Sequence, residues 1–145
     1  MGKKERLERQ AEKKAGVDKK WEYFKKCSKE KRESLLSHTF AFCIDDIGSG
    51  WEYIHFELDG KTAASYRVSY IGPDVHAFFR IVTDMEETDF KKIVFYDEPG
   101  EYPLLFSRRN DVIYVKLYGM EDGVFLKYDD FIKQITEEFR KWYRY

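Results

Sequence analysis

The sequence has no apolar run approaching the roughly 18 residues that a membrane-spanning helix needs. Its first twenty residues are rich in Lys and Glu and hold no apolar segment of the secretory-signal kind. A cytoplasmic protein without a membrane segment is the expectation. Two cysteines, Cys27 and Cys43, are too few for a disulfide framework, so Cys43 reads as a small core residue and Cys27 as a helix-face thiol. The three histidines, His38, His55 and His76, share none of the i,i+2 or i,i+4 spacings that metal sites use, so no metal is expected. Nine glycines fall at turns and form neither a G-x-G-x-x-G nor a G-x-x-x-x-G-K-[ST] series. Nucleotide cradling is therefore unsupported, and no cofactor and no catalytic residue is assigned.

What is abundant is aromatic and charged. Of 145 residues, 18% are Phe, Trp or Tyr and 37% are Asp, Glu, Lys or Arg, for a net charge of −1. That sum conceals a division. Residues 1–35 carry 13 basic and 7 acidic side chains, a balance of +6, which leaves 13 basic against 20 acidic over 36–145, a balance of −7. We read 1–35 as a charged helical arm and 36–145 as a single α+β domain. In the arm, opposite charges at i,i+4, such as Glu22 with Lys26 and Lys29 with Glu33, support helix. Gly16 separates a frayed helix ending near Ala15 from a second one running from a capping Asp18 to about Ser34, with Trp21 and Phe24 on its apolar side.

From His38 the period changes to alternation, as in Phe40, Phe42 and Ile44, and again in Ile54, Phe56 and Leu58 against Trp51, Tyr53 and His55. Asp59-Gly60 is a hairpin signal, because a type I′ turn needs positive φ at both central residues. A return strand runs from Lys61 to Ile71, and a helix starts at Asp74 with Val75, Phe78, Phe79, Val82 and Met85 on one stripe. The second half repeats this order. Strands are predicted at Lys92–Asp97, Glu101–Arg108, Val112–Tyr118 and Val124–Tyr128, with Pro103 at an edge or strand start, and a final helix capped by Asp129. The economical fold is one antiparallel sheet of six or seven strands, two amphipathic helices on one face, and the basic N-terminal helix.

Two surfaces invite partners. Asp45, Asp46, Glu52, Glu57 and Asp59 on the first hairpin, with Asp97, Glu98 and Glu101 about the Pro99-Gly100 turn, form an acidic group. Tyr53 and Tyr102 supply rigid amphipathic area beside it, and Tyr66, Tyr70, Tyr114 and Tyr118 also fall in strands. A basic protein partner would be steered to such a face. The alternative is nucleic acid on the arm, through Lys19, Lys20, Lys25 and Lys26, a case weakened by the interspersed acids. A second alternative is an enzyme working through paired carboxylates.

Ser69-Tyr70-Ile71-Gly72-Pro73-Asp74, then a helix, then Glu98-Pro99-Gly100-Glu101-Tyr102 resembles the S-Y-x-x-D-P-like and E-P-G-x-Y-like motifs of a family of small, functionally uncharacterised bacterial proteins. In size and style the chain also resembles immunity proteins of bacterial toxin systems. That resemblance implies a non-enzymatic binding protein with a toxin as its partner. It makes Ser69, Glu98, Pro99, Gly100 and Tyr102 motif positions without a catalytic role.

Overall fold

A computed structural model describes residues 2–48, 51–69, 74–97 and 100–143. The chain divides into two compact units, Met1–Leu36 and Ser37–Tyr145. In the first unit, α1 (Lys3–Lys26) runs unbroken through Gly16, and Val17 and Trp21 are its buried residues. Gly16 therefore does not end a helix, and Asp18 lies mid-helix, 3.6 Å from Lys14 one turn earlier, instead of serving as a cap. The break comes at Cys27-Ser28. There the Ser28 hydroxyl accepts the Lys31 amide at 3.1 Å and starts α2 (Lys29–Leu35).

The second unit opens with three strands, β1 (Phe40–Gly48), β2 (Trp51–Leu58) and β3 (Lys61–Ser69), paired antiparallel in that order. The Asp59-Gly60 turn forms as its residues require, with φ of 55° and 80°. The ladder then carries a bulge: Leu58 pairs with Lys61 and Glu57 with Thr62, but Phe56 pairs with Ala64, so Ala63 is the extra residue. Helix α3 (Asp74–Thr83) follows, and Met85 is buried just beyond its end.

Four further antiparallel strands, β4 (Thr88–Tyr96), β5 (Glu101–Arg109), β6 (Val112–Lys116) and β7 (Val124–Lys127), form a second sheet in chain order. Helix α4 (Tyr128–Tyr143) closes the fold. The seven strands thus make sheets of three and four, not the single sheet expected from hairpin spacing. Side chains occupy the junction where a β3–β4 ladder would run. The Tyr66 ring stacks on Tyr102 at 5.4 Å and lies 5.9 Å from Phe95, and its hydroxyl donates to the Tyr118 carbonyl.

β4 starts four residues before the predicted strand, because polar Thr88–Lys91 reads as loop until Thr88 is paired with Arg109. Pro103 pairs with Val94 of β4, while the β5–β6 ladder begins only at Leu105, so its missing N–H faces no neighbouring strand. α4 begins at Tyr128, which puts Asp129 in its first turn instead of at the cap. β6 ends at Lys116, leaving Tyr118 in a turn with Gly119 at φ 96°.

One core serves both sheets. Phe78 of α3 lies 5.5–5.8 Å from the rings of Phe42 and Phe56 on one sheet and Phe95 and Phe106 on the other. The helices meet through Phe79 and Phe139, stacked at 3.9 Å with 8° between planes. His76 is exposed, and its ring lies 5.6 and 5.1 Å from Phe139 and Trp142. At the end of α3, Arg108 donates to the Met85 carbonyl at 2.7 Å and lies over the Tyr128 ring at 3.8 Å, while the Tyr128 hydroxyl donates to the Val82 carbonyl. The Tyr128 bond satisfies a carbonyl of the last turn, which a helix end leaves open, and the Arg108 bond satisfies one just beyond it.

Candidate functional site

Strand parity sorts the first sheet into two faces. Ile54, Phe56, Tyr66 and Val68 point into the core, so Tyr53, His55, Ser65 and Arg67 point outward. The outward face runs to the free edge of β3. Between that edge and the strand ends of the second sheet lies an open cleft of about 480 Å³. Its β3 wall is the continuous run Ala63–Arg67, and its other wall is Asp97, Tyr102, Tyr118 and Gly119, with Tyr53 on the rim. That volume falls within the range of about 300–1,000 Å³ usual for ligand clefts.

The second wall is held by local hydrogen bonding. Asp97 follows β4, and its carboxylate accepts the Gly100 amide at 3.1 Å and the Tyr102 hydroxyl at 2.8 Å; its own amide donates to the Gly100 carbonyl. A Cβ on Gly100 would lie 2.8 Å from Tyr102 Cζ, so any larger residue would displace the Tyr102 side chain. Tyr102 stacks on Tyr66 and lies tilted against Tyr118, each 5.4 Å away. The bond to Asp97, then desolvation, raises the Tyr102 phenol above its ordinary range, and burial pushes that of Tyr66 up further. Both are neutral donors at physiological pH. Tyr53 and Tyr118, at 39% and 51% exposure, supply the accessible aromatic surface.

A polar chain crosses the outward face beside the cleft. His55 Nε2 lies 2.9 Å from Asp45 Oδ2, its Nδ1 lies 2.6 Å from the Ser65 hydroxyl, and its ring stacks on Tyr53 at 5.8 Å. The Arg67 guanidinium sits 4.7 Å over the Trp51 ring. Cys43 is half-buried opposite His55 in the register, on the face away from Phe42, and so is not the small core residue expected. Desolvation, then the Glu138 carboxylate, raises its thiol pKa.

The residues singled out from sequence are only partly brought together. Tyr102 is in the cleft wall and Tyr53 on its rim, Asp45 is exposed at the end of the histidine chain, and Glu101 is exposed next to Tyr102. Glu52 is 4% exposed, because alternation along β2 puts it in the inward series with Ile54 and Phe56; it is not part of an acidic rim. The Asp46 side chain, Glu98, Pro99 and Tyr70 lie outside the described residues. Tyr66 and Tyr114, placed in strands by the sequence, are buried and add no accessible surface.

Lys19, Lys20, Lys25 and Lys26 all lie on α1. At about 100° per residue Lys19 and Lys26 share a stripe, while Lys20 and Lys25 fall on other sides, so the four make no common face. Among the described residues no group of three or more His, Cys, Asp or Glu is arranged to hold a metal ion, and no helix is long and apolar enough to cross a membrane. Ser65 and Arg67 carry no sequence signal of a site, whereas Asp97 belongs to the acidic cluster expected about the Pro99-Gly100 turn. The signal for Ser65 is hidden by the bulge, since a regular two-residue hairpin would set Ala64 opposite His55.

Comparison of the chain with protein-family models, with curated proteins and with solved structures finds no match to any of them.

Proposed function

We propose that the Ser37–Tyr145 unit is a non-enzymatic protein-recognition module of the immunity type, binding a basic protein partner at the tyrosine-lined cleft. The observation that carries this reading is the cleft itself: accessible Tyr53 and Tyr118, neutral Tyr102 and the Asp97 carboxylate around one opening. Rigid amphipathic rings give contact area at little entropic cost, which is why tyrosine is enriched in interfaces. The balance of −7 over 36–145 favours encounter with a cationic partner.

The test is differential capture from the native host with the whole chain, its Tyr53→Ala/Tyr118→Ala variant and its Asp45→Lys/Glu101→Lys variant. A basic protein held by the wild-type chain and released by both variants is the expected result. A toxin-like reading frame beside the gene would add to it. If every retained protein is held equally by all three baits, the reading fails.

A second reading, hydrolysis, has the Ser65–His55–Asp45 chain in its favour, since it orders hydroxyl, imidazole and carboxylate within hydrogen-bond reach. It requires a fluorophosphonate to label Ser65 in the wild-type chain and not in His55→Asn. An unlabelled wild-type chain removes it.

A further inference from the structure

We infer that the cleft is a strand-addition site: an extended segment of the protein partner, with a lysine or arginine facing Asp97, pairs with the free edge of β3. This rests on the protein-recognition reading and names how that recognition is made.

The first observation is the edge. β3 is hydrogen-bonded to β2 alone, and among the described residues no backbone bond runs from Ala63–Arg67 on the other side. Folded proteins cover or disable such edges, because unpaired N–H and C=O groups are a template for another strand. The opposite edge of this sheet shows the contrast: α4 packs along β1, and Glu138 accepts the Ile44 amide at 2.9 Å.

The second observation is continuity. Residues of one strand face alternate between its two sides, yet all five from Ala63 to Arg67 line the cleft. A groove bordered by consecutive strand residues is one that follows the backbone edge. The far wall supplies what added strands use for specificity, a place for alternate side chains. Asp97 is its charged member, with Tyr102 and Tyr118 beside it. A cationic side chain reaching that wall would meet a carboxylate and aromatic rings together, an environment that favours lysine and arginine. Arg67 is the opposing charge in the lining, and its guanidinium sits 4.7 Å over the Trp51 ring.

The experiment titrates the full chain with peptides while amide shifts are followed by NMR. The probes come from an array of about ten-residue, Lys- or Arg-containing peptides, long enough to pair with a strand of usual length. The tightest binder is compared with two analogues N-methylated at alternate amides, and with a Lys/Arg→Glu peptide. The expected shifts concentrate at 63–67. One methylated series loses about tenfold or more in affinity and the other keeps it, since only alternate amides of an added strand face its neighbour. The charge-reversed peptide also loses about tenfold, and Asp97→Asn removes that charge preference.

Shifts that leave 63–67 silent, equal binding by both methylated series, or no array peptide binding below about 1 mM overturn the inference. Concentration-dependent shifts at 63–67 without peptide also overturn it, assigning the edge to a second copy of the chain. If a partner protein is lost with Tyr53→Ala/Tyr118→Ala while methylation has no effect, protein recognition stands and strand addition falls.

Discussion

The Tyr66 hydroxyl donates to the Tyr118 carbonyl across 52 positions of sequence, at 2.5 Å, and so fastens the three-stranded sheet to the turn after β6. The same ring stacks on Tyr102, so this bond lies in the wall of the cleft where the two sheets meet through side chains. Tyr66→Phe keeps the ring and removes the donor. Urea unfolding should show a loss of about 1–2 kcal/mol with an unchanged m-value.

Phe78 is the ring shared by both sheets and is nearly fully buried. Phe78→Ala leaves a cavity bordered by four aromatic rings that cannot all close on it. The expected cost is about 3–5 kcal/mol by equilibrium denaturation, and a loss below 1 kcal/mol would falsify the single-core description.

Gly123 abuts Tyr114, where an added Cβ would lie 2.8 Å from Cε1. Its amide also donates to the Tyr114 hydroxyl at 3.1 Å. Gly123→Ala should therefore cost about 1–3 kcal/mol through overpacking, whereas Gly60→Asn, at a positive-φ turn with open space, should cost less. Paired melting curves decide the order.

Asp59 accepts from His38 at 2.7 Å and from the Thr39 amide at 2.9 Å, and these bonds hold its carboxyl below its ordinary 3.8. A depressed folded pKa gives stability that is complete above 3.8 and is lost as pH falls through the lower folded value. Asp59→Asn tolerates the positive φ and removes the charge. The gap between wild type and variant should shrink as pH falls below 3.8, as measured by denaturation across that range.

Burial, then the Asp122 carboxylate, pushes the Tyr114 phenol up to about 12 from an ordinary 10.0. For a raised pKa the stability is complete below the unfolded value and drains away as pH rises through the folded one. Stability should therefore fall between pH 10 and about 12. Tyr114→Phe should flatten that part of the curve, and absorbance of tyrosinate near 295 nm should show late-ionising phenols that appear together with unfolding.

Much of this molecule is written locally. Asp59-Gly60 dictates its turn because two adjacent residues must take positive φ, and the stripe Val75, Phe78, Phe79 and Val82 marks the buried side of α3. The alternation Ile54, Phe56 and Val68 separates core from outer face by the two-residue period of a strand. Glu52 belongs to that same period, so its burial was legible too, although its charge argued for the surface. The extent of α1 was not legible, because one glycine costs a helix only about 1 kcal/mol. The cost was too small to end this one, and a serine cap set the break instead.

Tertiary structure decided the rest, through contacts between residues far apart in sequence. The bulge at Ala63 moved Ser65 opposite His55, and the Tyr66–Tyr102–Tyr118 cluster links β3 to the second sheet by side chains instead of a ladder. Sequence alone determined which residues could pair as strands and which faces were apolar, since both follow from local period and turn chemistry. Only the packed structure decided that seven strands divide into two sheets and leave β3 with an open edge.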